Sequence, residues 1–337
     1  MDTLDARIST QDKTQNLAIG LDVGATKIAA ALVTASGQIL ATRQAPTHPK
    51  AGPAHVLDCI AALIDELVVL SVNTRAIEPM GVGIGIPGQI DQGQGLVRGA
   101  VNLGWDEVYL VRELSQRLGK PPPIWVETDA NAATLGEYYF GAGRGCQDLV
   151  YLSIGSGLGA GVICHGKLVT GVTGKAAEMG HFSLDVDGLP CVCGLRGCAE
   201  TLVSGSGLVK LTIDLLERGE LPSRLNRQEE LDPSCIVSAA VEGDILAREA
   251  LSEMGRHLGT VMAICVAVLN PALIVVGGGL GLAAFDLLVP SSWREIERRI
   301  LPSTYVGLKI LASQQASSAA GAASLALFDA CPSVRPS

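Results

Sequence analysis

One strand rhythm occurs twice in this chain, and few folds accommodate it. Leu17–Asp22 is an apolar run, Asp22-Val-Gly-Ala-Thr-Lys27 a small-residue turn, and a second apolar run follows before a Ser36-Gly37 turn into Gln38–Thr42. The rhythm returns as Leu149–Ile154, a glycine-rich Gly155–Gly161, Val162–Cys164, a His165-Gly166 turn and Lys167–Val169. Helical patterns over Ala54–Ser71, Glu107–Leu118 and Ile245–Leu269 alternate with strands at Met80–Ile86 and Ile124–Glu127. The reading is an α/β chain built on a duplicated strand-turn-strand unit. Its 337 residues exceed the ~250–300 at which single cores stop growing.

A second feature is chemical. Between His181 and Glu200 the chain packs His181, Cys191, Cys193 and Cys198 into one loop with Gly194 and Gly197. Zinc takes four tetrahedral nitrogen and sulfur ligands, and a complete protein set leaves no position for water, so this pattern predicts a structural zinc site. A Cys-x-Cys spacing differs from the Cys-x-x-Cys redox motif, and a disulfide leaves a third thiol over.

Composition excludes other classes. With 25 basic and 34 acidic residues the formal charge is −9, and without a basic run there is no footprint for nucleic acid or anionic lipid. The six cysteines outside the loop, among them Cys59, Cys164 and Cys265 in apolar context, read as reduced thiols of a cytoplasmic protein. The polar, acidic Met1-Asp-Thr-Leu-Asp-Ala-Arg7 does not read as a signal peptide, so export is not expected. The uncharged window Leu258–Phe285 is long enough for a membrane span but is broken by Asn270-Pro271 and Gly277-Gly278-Gly279. It reads as a buried helix ending before Pro271, a strand Leu273–Val276, and a glycine turn into another helix.

Three glycine-rich turns follow apolar strands: Asp22–Lys27, Gly155–Gly161 and Gly277–Gly279. Such turns let backbone N–H groups reach phosphate oxygens. Gly155-Ser-Gly-Leu-Gly-Ala160 fits a loose dinucleotide fingerprint, but that motif must open a helix, and here a hairpin pattern follows. Asp22, with Thr26 and Lys27 beyond Gly24, groups the acid, hydroxyl and cation that handle a metal-bound triphosphate. Asp129 in Glu127-Thr-Asp-Ala-Asn131 stands just past a strand, where α/β domains bind ligands. Asp129 or Asn131 is also placed to cap a helix starting near Ala132.

Taken in order, the Asp22–Lys27 turn, Asn102-Leu-Gly-Trp105, Asp129-Ala-Asn131, Gly155–Gly159, Glu178-Met-Gly-His181 and Cys191-x-Cys193-Gly-x-x-Gly-Cys198-x-Glu200 resemble the ROK family of sugar kinases and repressors. The resemblance runs from about Leu17 to Ser318-Ala-Ala-Gly-Ala-Ala323, and within the family the chain is most similar to bacterial ATP-dependent glucokinases. It implies a two-domain, actin-like ATPase (ribonuclease-H-like) fold. Residues 1–16 then form a loose tail, 17–127 a small domain to which a helix at about 316–330 returns, and 128–315 a large domain with the zinc loop.

By the same resemblance Asn102, Asp129, Glu178, His181 and Glu200 hold the hexose and Asp129 is the general base. Asp22, Gly24, Thr26, Lys27, Gly155, Ser156, Gly157, Gly159, Gly277, Gly278 and Gly279 serve ATP with magnesium. The implied reaction is phosphorylation of a hexose 6-hydroxyl, most naturally glucose. An N-acetylmannosamine or fructose kinase, or a sugar sensor without a DNA-binding part, is the alternative. A homodimer or homotetramer is implied. Ala25 and Ala177 stand where the family commonly has glycine, and Val186 where it has proline. Two expectations concern independence of the subsites: Gly157→Val should weaken ATP far more than sugar, and loss of zinc should abolish glucose binding while largely sparing ATP.

Overall fold

The computed structural model describes residues 16–226, 231–315 and 317–328. The expected tail lies outside these residues except for Asn16. In chain order the strands and helices begin with β1 (Leu17–Val23), β2 (Lys27–Thr34), β3 (Ile39–Pro46), α1 (Pro53–Arg75), β4 (Val82–Ile86), β5 (Gln89–Asp91), β6 (Leu96–Ala100), β7 (Trp105–Val108), α2 (Leu110–Leu118), β8 (Ile124–Thr128) and α3 (Asp129–Phe140). There follow β9 (Leu149–Ile154), β10 (Leu158–Cys164), β11 (Lys167–Leu168), α4 (Gly205–Arg218), α5 (Pro233–Val241), α6 (Ile245–Leu269), β12 (Leu273–Gly277), α7 (Gly279–Ala283), α8 (Phe285–Arg299), β13 (Lys309–Ala312) and α9 (Ser318–Leu327). Contacts divide the chain into two compact units. One takes the chain to Gly145, Lys167–Ala176 and everything from Gln314; the other takes Cys146–Gly166 and Ala177–Ser313.

The first unit is a five-stranded sheet in the order β3-β2-β1-β4-β8, with β1 antiparallel to β2 and parallel to β4, and β4 parallel to β8. Because side chains alternate along a strand, Leu17, Ile19, Leu21 and Val23 enter one core with Val56, Leu57, Ile60, Ile64 and Leu67 of α1. Those α1 positions repeat at helical spacing, and Pro53 opens the helix where its missing N–H costs nothing. The opposite face presents Gly20 and Gly83. A Cβ on either would stand 1.9 Å from a carbonyl oxygen of α9, that of Ala319 or Ala322. Helix α9 thus lies directly on the sheet, buried from Ala319 to Leu327. A separate antiparallel sheet, β5-β6-β7, projects from the same unit.

In the second unit β9 is antiparallel to β10 and parallel to β12, which is parallel to β13. The order β10-β9-β12-β13 repeats β2-β1-β4-β8 in sequence and direction. This is the doubled sheet of an actin-like ATPase. Helix α6 packs along α8, where a Cβ on Gly255 or Gly259 would meet the α8 backbone at 2.7 or 2.5 Å.

The helix expected from Glu107 starts at Leu110 instead. Trp105 and Val108 are buried and pair with Ala100 and Val97, so Glu107 belongs to a strand. The helix expected near Ala132 starts at Asp129, and neither Asp129 nor Asn131 caps it: the Thr128 hydroxyl accepts from the Asn131 N–H at 3.2 Å. Strand β10 begins at Leu158, inside the glycine run, and not at Val162. No described helix is long and apolar enough to cross a membrane, and the eight described cysteines are free thiols.

Candidate functional site

In the first unit the ends of three parallel strands collect the acids. Asp22 pairs in register with Gly85, and Gly85 with Glu127. A Cβ on Gly85 would lie 3.5 Å from the Asp129 Cα. The missing side chain therefore lets the first turn of α3 settle beside the strand that carries Asp22, and brings Asp22 and Asp129 to one edge of the sheet.

Asp22 is half-buried and accepts a hydrogen bond from the Ser318 hydroxyl at the start of α9. Burial raises its carboxyl above the ordinary aspartate range, and the Ser318 bond and the Lys27 charge oppose that rise. The turn beyond it is closed by the Gly24 N–H to the Lys27 carbonyl at 3.0 Å. Buried Thr47 braces it, its hydroxyl donating to the Gly24 carbonyl at 2.7 Å and its N–H to the Thr26 carbonyl at 3.0 Å. Ala25 takes no left-handed conformation, so alanine replaces glycine there without strain. Thr26 and Lys27 are exposed.

Asp129 is exposed, and its Oδ1 accepts from the Ala130 N–H at 2.8 Å, which fixes the direction of the carboxylate. Below it Glu127, 1% exposed, accepts from the Thr128 N–H at 2.8 Å, Asn131 Nδ2 at 3.1 Å and Gln92 Nε2 at 2.5 Å. Burial nevertheless holds the Glu127 carboxyl above its ordinary value. Asn102 sits exposed in the middle of a 3-10 turn, Val101–Leu103, between β6 and β7.

In the second unit two glycine turns lie side by side. Gly277 is in register with Ser153, and a Cβ on Gly278 would meet the Ile154 backbone at 2.4 Å, immediately before Gly155. Gly155 and Gly279 face open space, with nothing within 4 Å of a Cβ. The first turn is closed by the Gly155 N–H to the Gly157 carbonyl at 2.9 Å, and Gly205 of α4 donates to the Gly155 carbonyl at 2.8 Å. Ser156 is exposed, and Gly159 falls within β10. A strand and not a helix follows, which removes the dinucleotide reading on geometry.

His181 closes a 3-10 turn, Met179–His181, that Glu178 precedes, and Glu178 is exposed. Ala177, where the family commonly has glycine, is held at φ 68°, a left-handed conformation that costs a non-glycine residue about 1–2 kcal/mol. The four expected metal ligands do converge: one donor atom from each of His181, Cys191, Cys193 and Cys198 lies within 4.8 Å of all the others. A zinc tetrahedron with bonds of about 2.3 Å to sulfur and 2.0–2.1 Å to nitrogen separates two sulfurs by about 3.8 Å and sulfur from nitrogen by about 3.6 Å. The Cys193 and Cys198 sulfurs are 3.6 Å apart, and the Cys191 sulfur is 3.7 Å from His181 Nδ1. The donor set therefore fits a tetrahedral dication, with Nδ1 turned to the sulfurs. Gly194 and Gly197 take left-handed conformations at φ 91° and 63°, and a Cβ on Gly197 would collide with the Asp185 carbonyl. Burial and the sulfurs of Cys193 and Cys191 push the Cys198 thiol up to about 12. A metal charge is what lets such a group serve as a thiolate.

Glu200 lies against the glycine turn. Its Oε2 accepts from the Leu158 N–H at 3.1 Å, and a Cβ on Gly157 would stand 2.3 Å from that oxygen. A valine at 157 would have to displace the Glu200 carboxylate. Thr47, Glu127, Thr128 and Ser318 brace the candidate residues or their turns, and the sequence reading gave none of them a role. Only Thr128 carried a local signal, as the threonine three residues ahead of Asn131.

The chain is similar to known proteins over most of its length. A glucokinase of Halalkalibacterium halodurans is 32% identical over 276 residues, covering 81% of this chain and 83% of its own. A ROK family glucokinase from Streptomyces griseus, solved in complex with glucose and AMPPNP, superposes with a TM-score of 0.77 at 34% identity, covering 92% of this chain and 99% of its own. A ROK family transcriptional regulator, a homologue of the Escherichia coli MLC protein, superposes at 0.81 with 28% identity over 95% of this chain and 80% of its own. The model of the ROK family matches residues 18–328. With the doubled sheet, the paired acids and the His-Cys loop already in place, that match makes this chain a member of the ROK family.

Proposed function

We propose that the protein transfers the γ-phosphoryl group of ATP to the 6-hydroxyl of a hexose, with glucose as the sugar. The observation that carries the reading is Asp129, an exposed residue whose Oδ1 accepts from the Ala130 N–H at the first turn of α3, on the strand edge that also holds Asp22. In a kinase that carboxylate serves as a base, whereas a sensor would use it only to hold the sugar. The glucokinase relatives support glucose over other hexoses.

On this reading Asp129 accepts the hydroxyl proton as the sugar oxygen bonds to phosphorus and the bond to ADP breaks. Asn102, Glu178, His181 Nε2 and Glu200 orient the sugar. In the second unit Gly155–Gly159 and Gly277–Gly279 offer N–H groups and open space to the nucleotide. In the first, Asp22, Gly24, Thr26 and Lys27 serve the phosphates and their magnesium. His181, Cys191, Cys193 and Cys198 would hold a zinc ion, which would supply rigidity to the loop and keep the His181 ring and its second nitrogen in one orientation. The reduced thiols suit a cytoplasmic setting.

Release of ADP measured against glucose, mannose, fructose, N-acetylmannosamine and N-acetylglucosamine tests the proposal. Glucose should give the highest kcat/KM. Turnover led by N-acetylmannosamine or fructose replaces the sugar but not the reaction, whereas sugar binding without turnover replaces the enzyme with a regulator.

A further inference from the structure

The two ligand sites assigned to the second unit share one peptide. Leu158 follows the glycine turn, and both of its backbone polar groups are covered by elements assigned to sugar. Its N–H donates to Glu200 Oε2 at 3.1 Å. Its carbonyl oxygen would be 2.1 Å from a Cβ on Gly180, so the turn that carries His181 rests directly on it. The preceding residue is equally constrained, because the space a Gly157 side chain needs is filled by the Glu200 carboxylate, at 2.3 Å from Oε2 and 3.2 Å from Cδ. The Gly157 carbonyl in turn accepts the Gly155 N–H at 2.9 Å, which sets the shape of the phosphate-facing turn.

Glu200 is itself anchored two residues beyond Cys198. The Thr201 N–H and hydroxyl both donate to the Cys198 carbonyl, at 2.9 and 2.7 Å. A chain of short contacts therefore runs from the cysteine loop through Glu200 to the nucleotide turn, all within one unit. Glu200 has two oxygens for two tasks: Oε2 holds the turn, and no hydrogen bond from a described residue reaches Oε1.

We infer that Glu200 is a positioning residue that couples the two substrates: a hexose hydroxyl donating to Oε1 fixes the carboxylate in the position from which Oε2 orders the Gly155–Leu158 turn for the nucleotide. The coupling is reciprocal, since a linkage between two sites must act equally on both affinities. This rests on the hexose-kinase reading and adds that binding is synergistic. A hydrogen bond to a charged acceptor, made only when its geometry is held, is a sufficient source for a coupling of about 5–150-fold.

Calorimetric titration of the zinc-loaded full chain tests it. Glucose affinity is measured with and without saturating Mg·AMPPNP, and AMPPNP affinity with and without glucose. The wild type should show the same gain, at least about fivefold, in both directions. Glu200→Gln keeps the shape but loses the charge that serves two donors, and should bring the ratio to near one. Gly180→Ala presses on the Leu158 carbonyl without altering the carboxylate, and should lower the ratio in the same way. A purely structural role for Glu200 would weaken both ligands and leave the ratio intact. Wild-type protein that binds both ligands with a ratio of one overturns the coupling while the kinase reading stands. Retention of the full ratio by both variants overturns the assignment to Glu200. Protein that binds neither ligand ends the kinase reading and the coupling together.

Discussion

Gly83→Ala should cost far more than a methyl group usually does. The added Cβ would stand 1.9 Å from the Ala322 carbonyl oxygen and 3.1 Å from the Leu325 Cβ, whereas ordinary contact begins near 3.4 Å. Backbone is the obstacle, so no side chain can rotate away and α9 has to lift by about 1.5 Å. Its ten residues make a helix about 15 Å long. Raising a strip about 8 Å wide by that amount opens about 180 Å³, worth about 4 kcal/mol at ~24 cal/mol per Å³, or about 2 kcal/mol if relaxation closes half of it. Loss of 2–4 kcal/mol is a large part of a typical ~5–15 kcal/mol stability.

Urea unfolding of Gly83→Ala beside the wild type reads the loss directly. Gly93→Ala is the control, because the nearest atom to its Cβ is Asp91 Oδ1 at 3.5 Å. Lifting α9 also withdraws Ser318 from Asp22, so Mg·ATP affinity should fall in the Gly83→Ala protein. A variant within about 1 kcal/mol of wild type would show that α9 does not seat on the bare glycine face.

Asp129→Asn should fold normally and lose about 10²–10⁴ in kcat with little change in the KM for glucose, since the amide keeps the shape and not the base; a variant retaining a tenth of wild-type kcat would refute the role. Purified protein should contain stoichiometric zinc by metal analysis, and Cys193→Ala should lose the metal together with glucose binding. Zinc-free protein with normal glucose affinity would sink that link. Glu127 gives a pH test. Its folded pKa lies above the ordinary glutamate value of 4.5, so the stability it contributes is fully present below that pH and is lost as pH rises through the raised folded value. The stability of wild type minus that of Glu127→Gln should therefore decline with rising pH across that window; a flat or rising difference, from urea midpoints between pH 4 and pH 7, contradicts it.

What the sequence disclosed and what it hid divide along sequence distance. The strand-turn-strand units were legible because each is a local alternation ending in glycine, and the convergence of four His and Cys donors because all four fall within 18 consecutive residues, His181 to Cys198. The β5-β6-β7 sheet was not, since its first strand has three residues and carries no periodicity to detect. The start of α3 was misplaced because Asp and Asn are good caps and Thr128 stood one residue earlier. Ser318 on Asp22 joins positions 296 residues apart, and no pattern within a window of helix or strand length can report such a pair. Glu200 on Leu158, 42 residues apart, escaped for the same reason, and with it the dependence of one ligand site on the other.

Helix α9 closes the first sheet from the far end of the chain, and this sets a timetable for synthesis. Strand β8 ends at Thr128 and α9 begins at Ser318. At ~5–20 residues per second a ribosome needs about 10–40 s to cover that interval. For all of that time the glycine face of β1 and β4 waits without its cover. The second unit, whose strands and helices are all made before Ser313, can assemble in the meantime. A nascent chain halted before Ser318 should consequently yield protease-resistant second unit and a first unit that is cut freely, and chaperones that bind bare apolar sheet should be found on the half that was made first.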